Sequence, residues 1–158
     1  MKDYEYIITT NGGIIIVDYL GSDKAVAIPS EMNGRPVTHI GQSAFALGQL
    51  TSVTIPDRVV SIGARAFMDN RLTNVIIPNN VTSIDGEAFS LNLLTNVVIF
   101  GSDTTIALEA FANNPLSSVT IGDIEIPVNL DEEEWTNYYN EKRAGELIAG
   151  LHGWELLD

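Results

Sequence analysis

Apolar and polar residues recur along this chain with a period of 22. The clearest segments start at Leu50, Leu72, Leu94 and Leu116, where the sequence reads LTSVTIP, LTNVIIP, LTNVVIF and LSSVTIG. Within each segment two apolar residues lie two positions apart, so they point to the same face of a strand while the residue between them points outward. The pattern therefore predicts one short β-strand in every 22-residue unit.

Other positions keep the same register. An upstream segment, AVAIPSEMNGRPVTHIGQSAF, fits the same template with five extra residues around Asn33 and Gly34. A unit this small cannot bury its apolar side alone, so neighbouring units must stack into a solenoid. The columns that support this register are Ile40, Ile62, Ile84 and Ile106; Ala44, Ala66, Ala88 and Ala110; and Phe45, Phe67, Phe89 and Phe111.

Stacking brings equivalent residues of successive units together. We expect the strands to pair in parallel as one narrow sheet, with four stacked phenylalanine rings closing the opposite wall. Asn70, Asn92 and Asn114 precede the repeat leucine by two residues, and their amides are expected to satisfy backbone groups at this turn. A ligand-contact role for them is the weaker interpretation. Pro56 and Pro78 are expected to end their strands, because proline has no N–H to donate.

The order L-x-x-V-x-I-P, then V-x-x-I, then Ala-Phe, together with NGRPVTHIG at residues 33–41, resembles the BspA-type leucine-rich repeats of bacterial surface proteins. The resemblance covers residues 14–122. It implies a leucine-rich-repeat solenoid with a role in surface display, adhesion and protein recognition. Because that family shares no catalytic motif, the resemblance implies no catalytic residue.

Residues 1–24 are predicted to form an N-terminal β-hairpin cap. Two apolar runs, YEYII and IIIVDY, flank Asn11 and Gly12. Asn-Gly favours a tight hairpin turn in which both central residues have a positive φ. Three tyrosines are expected to cover the apolar end of the first unit, an adhesive aromatic patch being the alternative: Tyr4, Tyr6 and Tyr19.

The C-terminal residues 123–158 differ in composition from the repeats. They contain ten acidic and two basic residues, a net charge of -8 out of the total of -13. Asp131 as N-cap and Lys142 near the end predict a helix over residues 131–144, followed by a short tail. The predicted class is α+β and mostly β: a single domain with the hairpin cap, a solenoid over residues 25–122 and an acidic helical C-terminal cap.

Composition excludes several functions. The 158 residues include 21 acidic and 8 basic side chains and no cysteine. Disulfide scaffolds, cysteine metal sites and thiol catalysis are therefore excluded, and the negative charge disfavours nucleic acid and anionic membranes as partners. No apolar run is long enough to span a membrane, and the N-terminal residues lack the pattern of a signal peptide. We expect no membrane insertion, and no signal or anchor in this segment.

Catalytic chemistry finds little support in the sequence. The two histidines, His39 and His152, are expected to lie far apart, and neither a G-x-S-x-G motif nor a glycine-rich phosphate loop is present. The acidic run at residues 131–134 would fan around a helix, whereas calcium requires converging oxygens. We expect no enzyme activity, catalytic residue, metal or cofactor. A hydrolase that uses carboxylates of the C-terminal helix is the remaining enzymatic alternative.

The outward positions of the predicted sheet form the candidate protein-binding surface, on its concave face. Ile76 and Val98 interrupt a polar strip and are expected to lie side by side, which favours a contact patch. Alternatively, β-branched residues simply suit strands. The candidate residues are Ser52, Thr54, Asn74, Ile76, Asn96, Val98, Ser118 and Thr120.

The predicted function is a non-enzymatic binding or adhesion module, extracellular or at the cell surface. It would present its repeat face to a protein or glycan on a cell surface or matrix. The alternative is a structural spacer or self-assembly domain of a larger surface protein. The sequence leaves the ligand and the oligomeric state open.

Overall fold

The computed structural model describes residues 2–107, 109–126 and 128 of the protein. Within these residues the fold is a β-solenoid of the leucine-rich-repeat type without helices. The strands of the described part are, in chain order, β1 (Tyr4–Ile8), β2 (Ile14–Tyr19), β3 (Ala25–Ala27), β4 (Glu31–Met32), β5 (Arg35–Ile40), β6 (Ser52–Thr54), β7 (Ser61–Ile62), β8 (Asn74–Ile77), β9 (Ser83–Ile84), β10 (Asn96–Ile99), β11 (Thr105–Ile106), β12 (Ser118–Ile121) and β13 (Ile124–Ile126).

The predicted N-terminal hairpin is formed by β1 and β2, which pair antiparallel. Its turn differs from the prediction. The Thr9 carbonyl oxygen accepts a hydrogen bond from the Gly12 N–H at 2.9 Å, and of the Asn-Gly pair only Gly12 has a positive φ, 84°. This is a three-residue loop that ends in a left-handed glycine, so the expectation of a positive φ at both Asn11 and Gly12 is wrong.

A different Asn-Gly pair forms a two-residue turn with two positive φ values. Asn33 has a φ of 51° and Gly34 a φ of 73°, and they connect β4 to β5 with Met32 opposite Arg35. The Asn33 amide also donates a hydrogen bond to the Tyr6 hydroxyl at 2.7 Å. The extra residues of the first unit therefore form a small hairpin that contacts β1.

One sheet runs without a break along the solenoid, and we call it the continuous sheet. Its strand order is β1, β2, β5, β7, β9 and β11, with β4 paired to β5. The isoleucine column lies here: Ile40 pairs with Ile62, and Ile62 with Ile84, in parallel register. The expectation of a single narrow sheet is thus wrong. Strands of two residues, such as β7, are too short to show an alternating pattern in the sequence.

The strands at the repeat leucines form the predicted parallel ladder only in part. Here β8, β10 and β12 pair in parallel at 22-residue intervals, and β13 pairs antiparallel with β12. Strand β6 pairs instead with β3, and in the described part of the chain no sheet pairing joins β6 to β8. We call these six strands the interrupted sheet.

Pro78 removes one hydrogen bond at the interruption. Phe100, at the equivalent position one unit later, donates its N–H to the Ile77 carbonyl oxygen at 3.0 Å. Pro78 has no N–H, so the same bond to Ile55 cannot form. Next to the interruption Val53 is half-buried, whereas its counterparts in the next three units are at most 2% exposed.

Stacked aromatic rings run through the core, as predicted. The centroids of Phe45, Phe67, Phe89 and Phe111 are separated by 5.0, 5.0 and 5.3 Å. Tyr19 of the hairpin extends the stack, with its ring 5.3 Å from that of Phe45 at an interplanar angle of 22°. The hairpin therefore covers the first unit by continuing the column of rings.

The asparagine column connects successive units, as predicted. Asn92 accepts a hydrogen bond from the Leu72 N–H at 3.1 Å and donates one to the Phe67 carbonyl oxygen at 2.9 Å. Asn70 and Asn114 make equivalent bonds one unit away. These amides thus satisfy backbone groups at the turn before each strand.

The C-terminal predictions extend past the described part of the chain. The solenoid's last described strand, β13, lies just after residue 122, where the repeats were expected to end. The predicted helix over residues 131–144, including its acidic run, and the tail that follows lie outside the described residues.

Candidate functional site

The eight predicted binding residues lie on the outward side of the interrupted sheet, and we call them the outer face. On β8 the inward neighbours Val75 and Ile77 are at most 2% exposed. Alternation along the strand therefore separates core from surface. The outer face consists of Ser52, Thr54, Asn74, Ile76, Asn96, Val98, Ser118 and Thr120.

Sheet pairing brings six of these residues together. Val98 lies directly beside Ile76, as predicted, and Asn96 lies beside Asn74. Ile76 is 55% exposed, whereas Val98 is half-buried. The two remaining residues of the outer face lie on β6, on the other side of the interruption. The outer face is therefore two surfaces with a gap between them.

A groove of about 700 Å³ opens at this gap. Strands β6 and β8 form its sides, and the segments that follow them form its end. Ile76 and Phe100 contribute apolar surface to it, and each is 55% exposed. The polar side chains that line the groove are Ser52, Thr54, Asp57, Asn74, Asn79 and Asn80.

Phe100 is the most unusual residue of the groove. Its position is occupied by Pro56 and Pro78 in the two preceding units, both buried, and by Gly122 in the following unit. Phe100 alone presents a large side chain to solvent at this position. The departure from the proline column was visible in the sequence, and it is the signal that could have identified Phe100 as a functional residue.

Most polar side chains of the groove are not used by the fold. The Asn80 amide donates a hydrogen bond to the Asp57 carbonyl oxygen at 2.7 Å. In the described part of the chain the other five make no side-chain hydrogen bond, in contrast to the asparagine column, where every amide is committed. Those five are Ser52, Thr54, Asp57, Asn74 and Asn79.

The charge of the groove comes from a single group. Among the described residues that line it, Asp57 is the only ionisable one, and none is a lysine or arginine. The ion pair found among the described residues lies elsewhere, between Arg65 and Glu87 at 3.0 Å. The groove therefore provides acceptors, amides and hydroxyls but no cation for an anionic ligand.

The shifted pKa values lie at the N-terminal end, far along the chain from the groove residues. Burial raises the pKa of the Tyr4 hydroxyl, and the neighbouring Tyr19 adds to the effect. Burial also raises the pKa of Tyr19, with Asp23 raising it further by its charge. Both phenols stay neutral near pH 7, which suits their packing against the aromatic column.

The described residues present little catalytic or metal-binding chemistry. His39 lies within β5, half-buried, with its Nδ1 2.8 Å from the Thr38 hydroxyl. His152 lies outside the described residues. Among the residues that the structure describes, no three carboxylate or histidine side chains are grouped to hold a metal. No helix in the described ranges is long and apolar enough to span a membrane.

A second exposed apolar surface lies on the hairpin, and sequence reasoning missed it. Among the described strands, β1 lies at the edge of the continuous sheet. Ile7 and Ile8 on this strand are 56% and 54% exposed, and Val17 on β2 is 42% exposed. Only one face of the hairpin contacts the first unit, so apolar side chains on its other face are exposed.

Comparison with known proteins identifies the repeats. Residues 24–130 match the model of the BspA type leucine rich repeat region, in six copies. A leucine-rich repeat protein from Bacteroides capillosus ATCC 29799 has a similar crystal structure, with a TM-score of 0.57 and 27% identity over 77% of this chain and 95% of that one. No curated protein sequence matches the chain.

Two further crystal structures are more distant. A leucine rich cell surface protein from Faecalibacterium prausnitzii A2-165 has a TM-score of 0.42 and 21% identity, over 81% of this chain and 55% of that one. The leucine rich repeat protein of T. pallidum has a TM-score of 0.42 and 18% identity, over 89% of this chain and 94% of that one.

The family model covers more than half of the chain, and the residues it matches include the solenoid strands β3 to β13. The Bacteroides structure independently supports the same fold. Repeat domains of this kind generally serve as protein-interaction modules, because stacking creates an extended surface. The chain belongs to the BspA-type leucine-rich-repeat family.

Proposed function

We propose that the protein is a non-enzymatic recognition module that binds a partner protein through its outer face. The observation that carries the proposal is the apolar pair Ile76 and Val98 on an otherwise polar sheet surface. Apolar residues exposed together on a polar surface are typical of protein contact sites. The role that suits such a face is adhesion to a cell surface or matrix.

The fold supports this function by keeping the outer face rigid. The stacked phenylalanine rings and the asparagine column connect each unit to the next through buried contacts. A surface that is ordered before binding loses little conformational freedom when it binds. A smaller part of the favourable interaction free energy is then offset by the entropy lost in ordering the surface.

We further propose that the module acts outside the cell, as part of a bacterial surface or secreted protein. Support comes from the family, whose repeats the chain shares over residues 24–130 and which is associated with bacterial surface proteins. Repeat domains of this family generally act as binding modules, and this supports a non-enzymatic role.

Surface plasmon resonance over immobilised matrix proteins and cell-surface preparations tests the protein-binding role. The double variant Ile76→Asp with Val98→Asp should weaken binding by about 100-fold or more, because two charges replace the apolar contact. A matched control, Leu91→Asp with Leu93→Asp, changes two leucines that are 43% and 52% exposed away from the outer face, and it should bind as the wild type does.

Two results would contradict the proposal. If the wild-type protein binds none of the immobilised partners, the recognition role is contradicted. Equal binding by the two double variants would show that the partner contacts some other surface. Circular dichroism of both variants confirms that each is folded before binding is compared.

The hairpin edge favours a second candidate function, self-assembly within a larger surface protein. Edge strands with exposed apolar residues are prone to pair with other chains, and β1 presents Ile7 and Ile8 to solvent. Light scattering over a range of concentrations distinguishes the two functions. Assembly predicts association that Ile7→Lys abolishes, whereas a recognition module stays monomeric without its partner.

A further inference from the structure

The groove between β6 and β8 offers hydrogen-bonding groups that the fold leaves unused. Ser52, Thr54 and Asn74 present hydroxyl and amide groups from its sides, and Asp57 and Asn79 lie at its end. Hydroxyls and amides both donate and accept hydrogen bonds, and a carboxylate accepts up to four. Such a set suits a ligand whose own groups are mostly hydroxyls.

An exposed aromatic ring borders these polar groups. Phe100 is 55% exposed and replaces a buried proline of the repeat, and Ile76 adds apolar surface on the same side of the groove. An aromatic face carries negative charge density and attracts C–H groups, which carry partial positive charge. A sugar ring presents C–H groups on its faces and hydroxyls at its rim, so it matches both parts of this lining.

The charge and size of the groove further restrict the class of ligand that it can bind. No lysine or arginine is among the groove residues that the structure describes, and Asp57 would repel carboxylate, sulfate or phosphate groups. Its volume of about 700 Å³ lies within the range of small-molecule sites. A neutral saccharide fits these limits, whereas an acidic one does not.

An extended peptide is the less favoured ligand for the groove. Peptides that add to a sheet need an accessible strand edge for their main-chain hydrogen bonds. Cα atoms of β6 and β8 still approach within 8 Å of each other, whereas a further strand between them would need about 4.8 Å on each side. The accessible groups are side chains, and these are mainly neutral and polar.

We propose that the groove between β6 and β8 binds a neutral saccharide, with Phe100 stacking on a sugar ring and Asp57 and Asn74 bonding its hydroxyls. The proposal rests on the recognition role given above and names a ligand class for one part of that surface. Glycan binding here and protein binding at Ile76 and Val98 are separable by mutation.

Saturation-transfer difference NMR with defined oligosaccharides tests the proposal. The probes are neutral hexasaccharides of glucose, mannose and N-acetylglucosamine, with oligogalacturonate as the acidic probe and a pool of unstructured peptides as the protein-like probe. At least one neutral hexasaccharide should give saturation transfer to its ring C–H protons. Calorimetry then measures the affinity of that probe for each variant.

Variants of two groove residues should separate stacking from hydrogen bonding. Phe100→Ala should weaken binding about tenfold, and Phe100→Tyr, which keeps the ring, should preserve it. Asp57→Ala should weaken binding roughly 10- to 100-fold, since it removes a charged acceptor. Leu93→Ala, an exposed leucine outside the groove, is the control and should bind as the wild type does.

Four outcomes would overturn the proposal. These are no transfer to any neutral probe, binding of the acidic probe alone, binding of peptides alone, and neutral binding that Phe100→Ala and Asp57→Ala leave unchanged. Phe100 and Asp57 are exposed, and circular dichroism checks that their variants are folded.

The two proposals fail in different ways. If Phe100→Ala abolishes saccharide binding but no partner protein is retained by the wild type, the saccharide site stands and the protein-binding role fails. If a partner protein depends on Ile76 and Val98 and no neutral probe binds, only the saccharide site fails.

Discussion

The two walls of the solenoid use the same 22-residue repeat and differ in one respect. In the continuous sheet every unit pairs with the next from β2 to β11. In the interrupted sheet pairing stops between β6 and β8, where Pro78 takes the position that supplies a ladder hydrogen bond in later units. Small changes in repeat residues can therefore open one wall while the other stays closed.

The difference suggests that one wall mainly stabilises the fold and the other is available for binding. The continuous sheet and the asparagine column use their polar groups within the fold, and the rings of the aromatic column pack on one another, as stacking requires. The groove at the interruption has unused polar side chains and an exposed ring. Substitutions in the first region should thus lower the free energy of unfolding, and substitutions in the second should change it little. Matched pairs of variants test this.

The largest expected effect is on the aromatic column. Phe67 is fully buried between two rings, so Phe67→Ala should lower the free energy of unfolding by about 3–5 kcal/mol. Phe100→Ala makes the same chemical change at the groove and should cost less than about 1 kcal/mol, because that ring is 55% exposed. Urea denaturation of both variants measures the difference, and equal losses would contradict the comparison.

The next largest loss of stability is expected in the asparagine column. Asn92→Ala leaves the Leu72 N–H without its partner and removes one of the two amides that bond the Phe67 carbonyl oxygen, and should lower the free energy of unfolding by about 2–4 kcal/mol. Asn74→Ala on the outer face removes no hydrogen bond of the fold and should change stability by less than about 0.5 kcal/mol. Thermal unfolding compares the two; a stable Asn92→Ala variant would show that the column is dispensable.

A smaller effect of opposite sign is expected at Ser90. Its hydroxyl is buried and has no hydrogen-bond partner, and the equivalent residue in the next unit is alanine, Ala112. Ser90→Ala should therefore raise the free energy of unfolding by up to about 1 kcal/mol. Chemical denaturation measures the change, and a loss above about 1 kcal/mol would mean that the hydroxyl has a structural role.

Strict repetition made the solenoid predictable. The phenylalanine, isoleucine and asparagine columns each lie in the core or at the turns as expected, because stacking requires equivalent residues at each step. The continuous sheet was missed because strands such as Ser61–Ile62 contain too few residues for an alternating pattern. The turn at Asn11 and Gly12 was misjudged because loop length, and not the dipeptide alone, selects the turn type.

The groove depends on features that no local pattern in the sequence predicts. The proline at residue 78 was interpreted as the end of a strand, but its effect on pairing depends on which neighbour's carbonyl faces it. Asp57 and Asn79 lie beyond the strands, so a search of outward strand positions omits them. Phe100 was visible only as an exception to a column.

The most direct test of the account is hydrogen exchange on Pro78→Ala. The claim under test is that the missing N–H at this residue contributes to the interruption of the sheet at the groove. Stability should change by less than about 1 kcal/mol, because the new hydrogen bond offsets the loss of proline's restriction of the unfolded chain. The account predicts that the new amide bonds to Ile55 and is protected like the amide of Phe100. Rapid exchange at residue 78 in a folded variant would contradict it.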